Sequence, residues 1–252
     1  PTITYVPLTG EKFLRGLITP IEPKNIFFML QSGYAADFIL GLTVESLNGV
    51  SNRAAAGGQV REAEPDFIRA LALLREIQNA GAFSLRVEED QSKASTAVVI
   101  FRQDDVPAEI MEKGAEVRRL LKLPPEGSRF TLTFGPGRGG DLELAVNSRS
   151  MLQIMSAFAS YLDVPAEHLN DHSASPGMQS GGNENGQQSV RIRSGKERPE
   201  SAYAAVKYRD YWFWIDESDL RTKRAMTAVM FFFTLADTGS SDKLPLITIP
   251  AQ

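Results

Sequence analysis

The segment YWFWIDESDLRTKRAMTAVMFFFTLA, residues 211–236, holds the densest run of apolar residues in the chain. Three readings compete for it: a membrane segment, an aromatic ligand platform, and the centre of an ordinary core. The apolar run from Ala225 to Ala236 is about twelve residues, and a spanning helix needs about 20. Arg221, Lys223 and Arg224 lie within a turn of it. The length is that of a core helix, so the spacing predicts a soluble helix over about 218–236. Asp216, Glu217 and Asp219 stand at its start, where carboxylates meet the positive end of the helix dipole. Ser218 or Asp219 is placed to accept hydrogen bonds from the first free amides. The glycine and distal glutamate of a calcium loop are missing.

The residues ahead of the helix alternate. Tyr211, Phe213 and Ile215 share one face of a strand, and Trp212 and Trp214 share the other. Both faces are apolar, which suits a central strand or one whose second face meets a partner. SVRIRSG and AYAAVKY read as neighbouring strands, and they bring Arg191, Arg193, Lys196, Arg198, Lys207 and Arg209 into the same region. A row of cations on one face is either its solvated side or an anion-binding surface. Trp212, Trp214, Arg191, Arg193, Lys207 and Arg209 are therefore the candidate partner- or ligand-binding residues.

Working outward, residues 1–82 read as a helical N-terminal region. Pro23 and Pro65 suit first turns, the apolar spacing of 35–47 is helical, and Asn48-Gly49 stands as its stop. Residues 83–169 read as an α+β half. FSLRVEE and STAVVIFRQ are strands, and PAEIMEKGAEVRRLLKL is a helix despite Gly114. RFTLTFG and DLELAVN flank GPGRGG as a hairpin with a mobile tip, and SRSMLQIMSAFASYLDV is a helix capped by Ser148 or Ser150. Residues 170–188 are polar and glycine-rich, the composition of a flexible linker or loop. Residues 189–252 form a second α+β half, ending in the strand LPLITIP. Both halves run strand, strand, long helix, a pattern that suggests a β-β-α repeat. The fold class is α+β, with a helical N-terminal part followed by a mixed or antiparallel sheet and packed helices.

Several chemistries are disfavoured. A net charge of −4 and a pI near 5.4 do not suit a nucleic-acid binder. The absence of cysteine removes disulfides, thiolate zinc sites and thiol nucleophiles. His168 and His172 have an H-x3-H spacing beside Asp171, without an evident third metal ligand. GPGRGG runs into a strand, whereas phosphate loops run into a helix. Glu88-Glu89-Asp90 and Asp104-Asp105 fall at strand ends, as solvated turns do. No catalytic residue, metal site or cofactor is assigned.

IEPKNIFFMLQSGYAADFILGLTVESLNGVSNR and RIRSGKERPESAYAAVKYRDYWFWIDESDLRTKRAMTAVMFFFTLA together resemble a family of uncharacterised envelope proteins of Gram-negative bacteria, predicted to be lipoproteins. The resemblance covers about a third of the chain directly and carries over no site residue. It implies export to the periplasm and a membrane anchor through lipid upstream of Pro1, which fits a chain that begins without Met. A cytoplasmic location is the alternative. Two functional readings follow. One is a non-enzymatic, lipid-anchored envelope protein that binds another envelope protein through its aromatic and basic sheet. The other is a small-ligand binder or enzyme with a pocket lined by Trp212 or Trp214, towards which Arg191 or Arg193 points.

Overall fold

A computed structural model of the chain describes residues 2–5, 10–56, 59–89, 95–175, 190–237 and 247–250. The chain opens with β1 (Thr2–Tyr5), α1 (Gly10–Ile18), α2 (Pro23–Gln31) and α3 (Ala36–Thr43). Four short strands follow, β2 (Val44–Leu47), β3 (Val50–Ser51), β4 (Ala54–Ala56) and β5 (Gln59–Arg61), then α4 (Pro65–Asn79). Next come β6 (Phe83–Glu89), β7 (Ser95–Phe101), α5 (Ala108–Leu120), β8 (Arg129–Phe134) and β9 (Glu143–Ser148). The remainder is α6 (Met151–Ala159), α7 (Ala166–Asn170), β10 (Arg193–Gly195), β11 (Ala202–Tyr208), β12 (Tyr211–Asp216), α8 (Leu220–Asp237) and β13 (Ile247–Pro250). Contacts divide these elements into two units, residues 20–150 and residues 1–19 with 151–252. The architecture is α+β, as the sequence pattern predicts.

The unit of residues 20–150 is built on a six-stranded mixed sheet in the order β3-β2-β9-β8-β7-β6. Alternation puts Leu85, Val99 and Phe130 in one row across β6, β7 and β8, where Val99 and Phe130 are fully buried. A chain of rings, Phe27 to Phe83 to Phe101 to Phe130, with centroids 6.1, 5.6 and 6.0 Å apart, carries the core from α2 across the sheet. The two strands that FSLRVEE and STAVVIFRQ predict are β6 and β7, which pair antiparallel.

Several local expectations differ from the structure. Helix α3 stops at Thr43, and residues 44–47, expected in the helix, form β2. Asn48 and Gly49 both have positive φ, 49° and 77°, so they are the two-residue turn between β2 and β3 and not a helix stop. GPGRGG is not a hairpin tip, because β8 and β9 pair in parallel, with Thr131 beside Glu143 and Phe134 beside Val146. Residues 135–142 are the return connection. This connection lies against the β2–β3 turn: Gly139 N–H donates to Asn48 Oδ1, 3.3 Å away, and a Cβ on Gly49 would stand 3.7 Å from Arg138 N. The second strand pair, β11–β12, is antiparallel, so the two strand-strand-helix stretches share their order but not their pairing. Ser148 is also no helix cap, since it lies in β9 and donates to the Ile21 carbonyl at 2.5 Å.

Gln78 of α4 joins the α2–α3 corner to that helix. Its Nε2 donates to the carbonyls of Leu30 and Tyr34 at 2.6 and 2.7 Å, and its Oε1 accepts from Ala36 N–H at 3.0 Å. One side chain thus serves a helix C-terminus and the next N-terminus, whose free groups need partners. Gln78→Ala is expected to lower the unfolding free energy by about 2 kcal/mol, read by urea denaturation. A loss below about 0.5 kcal/mol would show that water replaces these bonds without cost.

In the other unit, β1 pairs with β13 and the three-stranded antiparallel sheet runs β10-β12-β11. Helix α8 packs with α1 and α6. It buries Thr222, Ala225, Ala228, Val229 and Phe232, a stripe at helical spacing, while Met230, Phe231 and Phe233 stay exposed. Asp219 is its N-cap: Thr222 N–H donates to Oδ1 at 2.9 Å and Thr222 Oγ1 donates to Oδ2 at 2.6 Å. Among the described residues no helix is long and apolar enough to cross a membrane. Of the expected linker 170–188, residues 176–188 lie outside the described residues.

Candidate functional site

Strand β12 is the middle strand of its sheet, and its registers decide what surrounds each tryptophan. Trp214 stands opposite Arg193 on β10 and Ala205 on β11. Trp212 stands opposite Gly195 on β10 and Lys207 on β11. Directly opposed residues share a face, so Arg193, Lys207, Trp212 and Trp214 lie together. Asp216, two residues along from Trp214, belongs to the same face and pairs with Arg193 at 3.4 Å. Arg198, from the loop after β10, stacks over the Trp212 ring with 5.6 Å from guanidinium carbon to centroid.

Glycine at 195 lets the Trp214 ring approach closely. A Cβ there would stand 3.3 Å from the outer ring of Trp214, so the indole lies directly on the β10 backbone. Both indoles are half-buried. β11 is an edge strand, exposed from Tyr203 to Tyr208. The carboxyl of Asp216 is held below the usual carboxylate range, first by hydrogen bonds from Ser218 and then by the Arg193 charge. It is an ionised partner for Arg193, not a proton donor.

Two of the candidate residues lie elsewhere. Arg191 precedes β10 and pairs with Asp163 at 2.7 Å, while its N–H donates to Thr222 Oγ1 at the start of α8. Arg209 sits in the β11–β12 turn at φ 52° with its guanidinium over the Tyr208 ring. The residues that alternation places on the opposite face of the sheet, Phe213, Val206 and Tyr208, line a groove of about 340 Å³ with His168 and Arg209. Neither tryptophan lines this groove, nor do Arg191 and Arg193, and strand alternation turns both indoles to the other face of the sheet.

His168 packs edge-on against Tyr211, 5.1 Å between centroids, and His172 occupies a positive-φ turn. Glu167 pairs with Lys196 at 2.6 Å, and that bond is the main reason its carboxyl lies below the usual range. Among the described residues no three His, Cys, Asp or Glu side chains converge as a metal site would need.

The face can therefore offer two flat indoles and three cationic groups to a partner, with one carboxylate already engaged. Periodicity alone could find Arg193, Lys207 and the tryptophans. It placed Arg198 in the region but could not show that it reaches over Trp212 from an irregular loop, nor the role of Gly195. No protein-family model, curated protein or solved structure matches this chain.

Proposed function

We propose that this chain is a non-enzymatic binding protein of the bacterial envelope, held at the membrane by lipid, whose Trp212/Trp214 face takes an acidic surface of another envelope protein. The observation that carries the binding role is the grouping of two half-buried indoles with Arg193, Arg198 and Lys207 on one face beside an exposed edge strand. Tryptophan and arginine are the side chains that contribute most at protein interfaces, and lysine at the rim steers an acidic partner. The envelope location and the anchor rest on the family resemblance alone.

A photo-crosslinking residue at Lys207 tests the face, with Glu112 on the exposed side of α5 as the comparison site in the full-length protein. The expected result is one protein adduct from position 207, absent from position 112 and lost on Trp212→Ala. Equal adducts from both positions, or none from 207, would contradict the reading. Mass spectrometry of the mature N-terminal peptide reports the anchor separately. A diacylglyceryl group is expected, and a bare N-terminus removes the anchor from the account.

A further inference from the structure

Arg118 of α5 is 7% exposed, and a buried guanidinium needs partners for its donors. Its Nε–H donates to the Pro125 carbonyl at 2.8 Å, and its guanidinium carbon lies 5.8 Å from the centroid of the Phe101 ring. No carboxylate pairs with it among the described residues; Glu126 acts on it only at a distance. Lys113, on the same helix, is by contrast engaged by Glu76 and Glu109. Burial holds the Arg118 pKa below the ordinary arginine range, the sign of a cation that lacks a close anion.

The Nη groups have no protein partner, yet they are not among the sealed polar atoms of the described residues. Arg118 lines a cavity of about 140 Å³ with Ile77, Phe101, Ile110, Met111 and Gly114, and its Nη1 stands beside the Gly114 of that lining. Gly114 explains how this room arises. A glycine inside a helix costs about 1 kcal/mol relative to alanine. Here a Cβ would stand 3.4 Å from Arg118 Nη1, so its absence leaves space beside the guanidinium.

We infer that this cavity binds a small carboxylate with a short apolar body, its two oxygens taken by the Nη groups of Arg118 and its body by Ile77, Phe101, Ile110 and Met111. A fork of N–H donors matches a carboxylate in geometry as well as charge. The volume is close to that of apolar cavities that hold one benzene ring, about 150 Å³. The apolar walls disfavour a free phosphate, which has no apolar surface to bury. Arg102 and Gln103, both exposed, stand at the rim.

Benzoate is the probe, titrated into the full chain and followed by calorimetry and by the arginine Nε–H resonances. Saturable binding is expected, with Kd on the order of 1 mM or tighter and a shift of the Arg118 resonance. Arg118→Met is expected to weaken it at least about tenfold. Met111→Trp, on the exposed rim of the cavity, is expected to weaken it similarly by filling the entrance while the unfolding midpoint stays unchanged. Benzyl alcohol, which keeps the ring and loses the charge, is expected not to compete. No saturation by about 20 mM benzoate overturns the inference, as does undiminished binding to folded Arg118→Met or Met111→Trp. Inorganic phosphate binding as tightly as benzoate overturns it as well.

Discussion

Arg149→Ala is expected to cost about 4 kcal/mol of stability, a large part of the margin of an ordinary domain. Helix α3 ends inside its unit, and the last carbonyls of a helix have no partner of their own. Arg149 supplies them. Its Nη1 donates to the carbonyls of Gly41 and Leu42 at 3.2 and 2.9 Å, its Nη2 donates to the Arg53 carbonyl, and its own N–H donates to Thr43 at 2.7 Å. The positive charge also faces the negative end of the α3 dipole. Asn52 completes the arrangement by donating to Gly41 and Val44 at 2.8 and 2.7 Å. Truncation at 149 removes the side-chain donor of the buried Leu42 bond and of the half-buried Arg53 bond, while Gly41 keeps its bond from Asn52. Arg149→Lys should recover about half of the loss, because one ammonium keeps the charge but not the fork. Urea denaturation of the full chain measures both, and a loss under about 1 kcal/mol for the alanine variant would contradict this role for the guanidinium.

Asn48→Ala should cost about 3–4 kcal/mol, from two separable causes. The first is hydrogen bonding. Asn48 is 1% exposed; its Nδ2 donates to the Leu121 carbonyl at 3.0 Å, and its Oδ1 accepts from Ala145 N–H at 2.9 Å and from Gly139 N–H. The second is conformation, since residue 48 sits at φ 49°, where alanine is strained and asparagine is tolerated. Asn48→Gly removes the bonds and relieves the strain. It should therefore be more stable than Asn48→Ala by about 1 kcal/mol. Equal stabilities for the two would mean that the turn rearranges when its side chain is lost.

These two residues also mark where the sequence was hard to read. The apolar spacing of AADFILGLTVESL continues through Val44 and Leu47, and over four residues period alone does not separate a last helical turn from a short strand. Thr43-Val44, two β-branched residues followed by Asn-Gly, was the available signal for a strand and a tight turn. The parallel pairing of β8 with β9 had no comparable signal. Strands joined by 135–142 read as a hairpin because parallel neighbours usually need a longer crossover. Arg149 and Asn52 look like ordinary loop residues in sequence, and their roles depend on a helix end that only the fold brings to them. The cap of α8 and the central place of β12 were legible because both depend on neighbours in sequence. At the candidate site the same rule holds. Alternation identified the Trp face, whereas Arg191 fell off it because β10 begins only at Arg193.

The chain has two tryptophans, both on the proposed binding face, so its indole fluorescence reports on that face alone. Collisional quenching by iodide and by caesium at matched ionic strength is the most direct test. Half-buried indoles flanked by Arg193, Arg198 and Lys207 attract an anion and repel a cation. Iodide is expected to quench markedly better than caesium, Lys207→Glu with Arg198→Glu to narrow the difference, and high salt to do so too. Equal quenching by the two ions, or none by either, would mean that the tryptophans do not form an accessible cationic face, and the proposed binding surface would fall.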